Sequence, residues 1–309
     1  MTDTAHYKEL FRQALLIRRV EEKIIDVYPS DNIQSPVHLS IGQEAVSVGL
    51  CAALDPGDMI YGSYRGHALY IACGGDLTQM FAELMGRVGG ISKGKAGSMH
   101  LSFPAKGLMG ASAVVATQLP HAVGSALAAK HRKTGQAIVC VFGDGALEEG
   151  VAHESFNFAA LNSLPVLFLC ENNRLAVHSH QRDRQSFSVE GLATLYGFPF
   201  RKVSEGWDLL KVEAECRVAL DAVRRGDGPQ FLEITTFRSR EHVGIGDDLD
   251  QGYRSRAEFD HWQARDPLVQ NAALAEALLP EIDAEIDAAF AKADASPTPG
   301  IEHLLTDVV

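Results

Sequence analysis

Residues 137–145 read AIVCVFGDG, and residues 165–173 read PVLFLCENN. Each opens with a short apolar run rich in β-branched or bulky side chains and ends in small and polar residues. By length and flanks, both runs are buried strands. Residues 151–161 between them have the pattern of a helix, so the unit reads strand, helix, strand. That order makes the two strands parallel, joined by a right-handed crossover. FLEITT at 231–236 reads as a third buried strand. The chain is therefore an α/β protein built on a parallel sheet, and ligands are expected in the crevice beyond the carboxyl ends of its strands.

Gly143-Asp144-Gly145 falls at such a strand end, followed by a helix expected to begin near Glu148. Glycines let a ligand approach the backbone, and a helix N-terminus favours anionic phosphate. An aspartate there repels phosphate unless a cation lies between them. A tight turn with a helix-capping aspartate is the plain alternative. The neighbouring strand ends in Glu171-Asn172-Asn173. Adjacent parallel strands would bring Asp144 and Asn173 side by side, where a carboxylate, an amide oxygen and a backbone carbonyl suit the hard, octahedral Mg²⁺.

The 309 residues suffice for one large domain or two modest ones with a proper core. With 28 basic and 40 acidic side chains, a net charge of −12 and a pI near 5.4, nucleic acid is not expected as a partner. The 46% hydrophobic content excludes global disorder. Five cysteines, Cys51, Cys73, Cys140, Cys170 and Cys216, form no dithiol or zinc spacing and suit buried thiols in a reducing compartment. No apolar stretch approaches the roughly 18 residues of a membrane span, and the N-terminus lacks a signal-peptide core, so a cytoplasmic address without membrane contact is expected.

Residues 7–27 carry apolar side chains at helical spacing and lead into the turn-rich YPSDNIQSP. Further helices are predicted over 43–54, over 77–86 with Thr78 as N-cap, and in the acidic stretch AALAEALLPEIDAEIDAAFAKAD. Two segments resist regular structure, GGISKGKAG at 89–97 and EHVGIGDDLDQG at 241–252. Such loops serve as lids, ligand cradles or exposed connectors.

Other motifs fail. Residues 89–96 nearly spell a phosphate-binding loop, but Ala96 stands where the metal-binding hydroxyl belongs. Gly143-x-Gly145 is not followed by a glycine three residues on, which breaks the dinucleotide fingerprint. His153-Glu154 lacks the second histidine of a zinc protease helix, and His178 and His180 lack a third ligand.

The run from GDG to NN resembles the thiamine-diphosphate signature. Together with HLSIGQEA at 38–45, YRGH at 64–67, GRVGGISKGKAGSMH at 86–100, ATQLPHAVG at 116–124 and GDGALEEGVAHESFNFAA at 143–160, it resembles the alpha subunit of the 2-oxo acid dehydrogenases of pyruvate, branched-chain and acetoin type. The resemblance implies a thiamine-diphosphate-binding α/β domain over 37–256, a parallel sheet with helices on both faces. A helical arm and linker over 1–36 and a helical extension over 257–309 would flank it. It also implies an α2β2 assembly in which the beta chain supplies the catalytic glutamate, with an acyl unit from a 2-oxo acid or acyloin passed to a lipoyl acyltransferase.

Carried over by motif, Asp144, Asn173 and the carbonyl of Leu175 are the Mg²⁺ ligands, and Gly145 and Ala146 offer amides to the diphosphate. Tyr64 and Arg65 contact the cofactor, Ala113 and Val115 meet the aminopyrimidine through their backbone, and Arg238 clamps phosphate. His242 is the active-site histidine. Ser112, Thr117 and Gln118 match the potassium-binding loop of the branched-chain relatives. The chain departs from that pattern at Leu175, where relatives have tyrosine, and at His178, where they have a small residue. Glu241 and Val243 flank the active-site histidine in place of glycine and serine, so control by phosphorylation at that serine is not expected. His67, His100 and His121 are either site residues or hydrogen-bonded interior histidines. Two other readings stay open: an NAD-linked oxidoreductase with Glu171 on a ribose, and a cofactor-binding subunit without turnover.

Overall fold

The computed structural model describes residues 4–306, so the outermost residues of both arms, 1–3 and 307–309, lie outside the described part. Its strands are β1 (Met59–Ser63), β2 (Leu108–Ser112), β3 (Ile138–Gly143), β4 (Val166–Asn172), β5 (Leu175–Ala176), β6 (Ser179–His180), β7 (Phe200–Val203) and β8 (Gln230–Thr235). Among the described residues, six form one sheet in the order β2-β1-β3-β4-β8-β7, parallel throughout, while β5 and β6 make a small antiparallel hairpin. Gly143 pairs with Glu171 at the end of the β3–β4 ladder.

Alternation along the central strands sorts their side chains to two covered faces. Val139, Val141, Leu167, Leu169, Leu232 and Ile234 join one core with helices α1 (Ala5–Val27), α2 (Glu44–Ala53), α3 (His67–Ala72) and α4 (Leu77–Leu84). Cys140, Phe142, Phe168, Cys170 and Phe231 join the other with α5 (Gln118–Arg132) and α6 (Gly150–Leu161). Phe156 of α6 sits among Phe142, Phe168, Phe198 and Phe231 at centroid distances of 4.8–6.3 Å, in mostly edge-on contacts that favour aromatic pairs. Later helices are α7 (Gln181–Arg184), α8 (Val189–Leu195), α9 (Leu209–Arg224), α10 (Arg256–Gln263), α11 (Pro267–Gln270) and α12 (Ala272–Asp294). The N-terminal helix buries Leu10, Phe11, Ile17, Val20 and Ile24 and packs on α2, α3, α9 and α12.

Some local expectations change. The N-cap of α4 is Asp76, whose carboxylate accepts from the Gln79 amide, not Thr78. Residues 144–148 form a 3-10 turn, so the α-helix after β3 starts at Gly150. Sequence pattern left β1, β2 and β7 unmarked: β1 and β2 each contain glycine, and all three have partly exposed residues that dilute the apolar signal. Helix α9 was also unmarked, although Leu209, Val212, Cys216, Ala219, Leu220 and Val223 are buried along it at helical spacing.

The glycine-rich loop 89–97 is closed on a buried carboxylate. Glu83, 1% exposed, accepts from the amides of Ser92 (2.8 Å), Gly94 (3.0 Å), Ala96 (2.7 Å) and Gly97 (3.0 Å). A Cβ at Gly90 would stand 2.7 Å from the Glu83 Cα, so glycine is required there. Four amide bonds to one anion stabilise the loop strongly, because each bond is charge-assisted and the anion is out of water. Glu83→Ala is expected to lower unfolding free energy by about 3 kcal/mol or more in chemical denaturation and to make 89–97 the first site of limited proteolysis.

Candidate functional site

The carboxyl ends of β1, β3 and β4 open into one cavity of about 330 Å³. Of the residues singled out from the sequence, Tyr64, Arg65, Ala113, Val115, Asp144, Gly145, Ala146, Asn173, Leu175 and His242 line it together. Ser112 and Gln118 line it as well, and so do His38 and Gln43. The last two lie in the HLSIGQEA block but carry no motif chemistry of their own.

Asp144 is 1% exposed, and burial pushes its carboxyl pKa upward against the opposing pull of Arg184. The Arg184 guanidinium donates to Asp144 Oδ2 at 2.5 Å and also bonds Glu148. Asn173 belongs to a tight turn. Its Oδ1 accepts from the Leu175 amide at 3.1 Å, its Nδ2 donates to Gln43 Oε1 at 3.0 Å, and the adjacent Arg174 has φ +64°. That turn carries Asn173 and Leu175 to the cavity from the end of β4. Above Gly145 the space is narrow, since a Cβ there would meet the Ala176 Cβ at 3.1 Å.

Across the cavity, His38, Tyr64 and His242 form an aromatic cluster with centroid separations of 4.7–5.6 Å. Burial, with Arg65 next, holds the His242 pKa down to about 4 and that of His38 down to about 3, so both imidazoles are neutral at pH 7. Arg65 donates to the carbonyls of Leu39 (2.6 Å) and His242 (3.3 Å), which fixes the histidine-bearing loop to the sheet. Burial raises Glu171 to about 7. Buried Nδ1 of His38 and Oε1 of Gln118 find no hydrogen-bond partner among the described residues. Both residues line the cavity, and polar atoms left without partners there suit a polar ligand.

Arg238 is placed differently. Its guanidinium donates to Asp248 Oδ2 (2.8 Å) and Tyr253 Oη (3.1 Å) and lines an adjoining cavity that shares Asn173 and Leu175 with the first. Arg254 joins the same aspartate and also donates to the Arg238 carbonyl. The acidic segment 241–252 is thus folded around one buried acid, Asp248. In the loop before α5, Ser112 Oγ accepts from the Val114 amide and Thr117 Oγ1 donates to the Val114 carbonyl. His67 is a buried interior histidine between Glu21 and Ser98, whereas His100 and His121 are exposed. His178 is exposed, with its ring 4.9 Å from that of Tyr253. Two residues against the site that motif reading did not single out are Arg184 and Glu148. Their signal is three-dimensional, because they lie 36 positions apart.

The profile of the family described as "Dehydrogenase E1 component" matches residues 12–302. The chain is 38% identical to the pyruvate dehydrogenase E1 component subunit alpha of Rhizobium meliloti, over 97% of this chain and 88% of that one. It is 36% identical to the alpha subunit of acetoin:2,6-dichlorophenolindophenol oxidoreductase of Bacillus subtilis, over 97% and 92%. A pyruvate dehydrogenase E1 alpha subunit of Zymomonas mobilis matches at 38% identity over 99% of this chain and 89% of that one. With family blocks gathered round one cavity and similarity running almost end to end, the chain belongs to the dehydrogenase E1 component family, as an alpha subunit of the thiamine-diphosphate-dependent 2-oxo acid dehydrogenase type.

Proposed function

We propose that the chain binds thiamine diphosphate with Mg²⁺ in the Asp144 cavity and, with a beta subunit in an α2β2 assembly, cleaves a 2-oxo acid or an acyloin such as acetoin. The acyl unit then passes to a lipoyl acyltransferase. The single observation that carries this reading is the buried Asp144 carboxylate facing a cavity beside Asn173 and Leu175. A carboxylate, an amide oxygen and a peptide carbonyl are the hard donors that Mg²⁺ takes when diphosphate oxygens and water complete its shell. Among the described residues no group of three His, Cys, Asp or Glu is disposed to hold a metal, so Asp144 would take its co-ligands from amide and carbonyl oxygens. The orphaned His38 and Gln118 atoms and the narrow space over Gly145 fit a polar cofactor.

Thiamine diphosphate supplies a nucleophilic thiazolium carbon and a sink for the electrons released on carbon–carbon cleavage. The chain's own residues bind and orient. Gly145 and Ala146 would present amides to the diphosphate, Tyr64 and Arg65 would steady the cofactor, and the backbone at Ala113 and Val115 would meet the aminopyrimidine. His242, neutral and packed on His38, can accept or return a proton at an imidazole nitrogen. Arg238, held on Asp248 and Tyr253 through Nη2 with its Nε unpartnered among the described residues, would clamp phosphate. Potassium would find oxygens in the Ser112, Thr117 and Gln118 loop. Val114, Val115 and Val177, 42–62% exposed, line the cavity and form an apolar rim that a beta subunit would cover and dry. By the family resemblance, the glutamate that shuttles protons through the aminopyrimidine would come from that subunit; Glu44 is not its counterpart by motif and is buried in ion pairing with Arg18.

Calorimetric titration of thiamine diphosphate into the full chain with its beta subunit should give Mg²⁺-dependent binding that Asp144→Ala weakens at least 100-fold. Binding that ignores Mg²⁺, or survives the substitution, contradicts the reading. The histidine pair gives a second prediction. Both folded-state pKa values lie below the ordinary 6.5, so their contribution to stability is complete above pH 6.5 and declines as the pH falls toward 4. Ring NMR signals of His242 should therefore stay those of neutral imidazole from pH 8 down to about 5.5. A titration midpoint near 6.5 would contradict the buried, arginine-flanked environment.

A further inference from the structure

Arg184 stands at the end of α7, on the segment that leaves β4 through the Asn173 turn. Its side chain is 12% exposed and reaches back 40 residues to Asp144 Oδ2, at 2.5 Å. The same guanidinium bonds Glu148, which is 31% exposed, and its Nε donates to the Ser179 carbonyl at 3.2 Å. Gln185 closes the contact from the next position, donating to the Asp144 carbonyl and to Glu148 Oε1, both at 2.9 Å. A Cβ built on Gly145 would lie 3.9 Å from Arg184 Nη1, so the guanidinium covers both the Asp144 carboxylate and the backbone beside it.

A carboxylate this deeply buried costs several kcal/mol unless a cation is close by. Arginine and a divalent metal are alternative answers to that cost, and both compete for the same oxygen. A metal ligated by Asp144 would stand within a few ångströms of the Arg184 charge, where like charges repel in a medium poorer in water than bulk solvent. An unbranched side chain can leave by rotation, and Glu148, nearer to solvent, can keep it.

We propose that Arg184 is a resident counter-cation for Asp144: it holds the cofactor-free site and exchanges against the divalent metal, moving onto Glu148 alone when the metal binds. This rests on the metal site argued above. Metal uptake is therefore coupled to rotation of the Arg184 side chain, and the affinity the chain displays for metal is lower than the site's intrinsic affinity by the cost of displacing the arginine.

The test is Mn²⁺ binding followed by electron paramagnetic resonance, with thiamine diphosphate present, on the full chain in complex with its beta subunit. Arg184→Met keeps length and removes charge. It should tighten Mn²⁺ binding by about tenfold or more, the size of a charge-assisted hydrogen bond, and lower the melting temperature of the metal-free protein while leaving that of the loaded protein nearly unchanged. Arg184→Lys, which keeps the charge, should remain within a few-fold of the parent and serves if the methionine variant does not fold. Unchanged Mn²⁺ affinity in Arg184→Met overturns the exchange and leaves the metal site standing. Weakened Mn²⁺ and thiamine diphosphate binding also overturns it, assigning Arg184 to the diphosphate. If the unsubstituted protein takes up no Mn²⁺, the metal site itself fails and the exchange with it.

Discussion

An anionic side chain taken out of water must be answered by a cation or by a set of oriented donors, and the fold places the Asp144 carboxylate under that constraint at the end of β3. The parallel ladder sets the rest. With Gly143 paired to Glu171, the ends of β3 and β4 lie side by side, and the turn after β4 brings Asn173 and Leu175 to the same cavity. The cavity is a product of sheet topology. It is also charged, and that charge is what the proposed metal and anionic cofactor would answer.

Three buried acids organise the irregular parts of this chain in three ways. Glu83 is satisfied by four backbone amides and fixes loop 89–97. Asp248 is held by Arg238, Arg254 and Tyr253 and folds segment 241–252, which carries His242. Asp144 has one guanidinium, from a side chain that can rotate away, and it lines the candidate cavity. Acids saturated by the backbone or by interlocked arginines build structure. One answered by a single displaceable cation is available for exchange. The overall charge of −12 therefore says little about the site, where Arg65 and Arg184 set the local field.

The parallel sheet was legible because AIVCVF and PVLFLC are continuous apolar runs ended by glycine and asparagine. Their ends carry Asp144 and Asn173, and motif resemblance adds Tyr64, Arg65 and His242 to the residues that line the candidate cavity. What escaped was of two kinds. Short strands with glycine and half-exposed residues, β1 and β2, carry too little apolar contrast to mark themselves. The partners of buried charges, Glu83 with its loop, Asp248 with Arg238, and Arg184 with Asp144, depend on the packing of distant segments. Charge pairing of that kind has no periodicity in the chain.

The most direct measurement is a crystal structure of the complex with its beta subunit, grown with thiamine diphosphate and Mg²⁺. The account predicts the ion at about 2.1 Å from an Asp144 oxygen, the Asn173 amide oxygen and the Leu175 carbonyl, with the diphosphate over Gly145 and Arg184 no longer on Asp144. An ion bound elsewhere, or a cofactor seated while Asp144 keeps no metal, would contradict it.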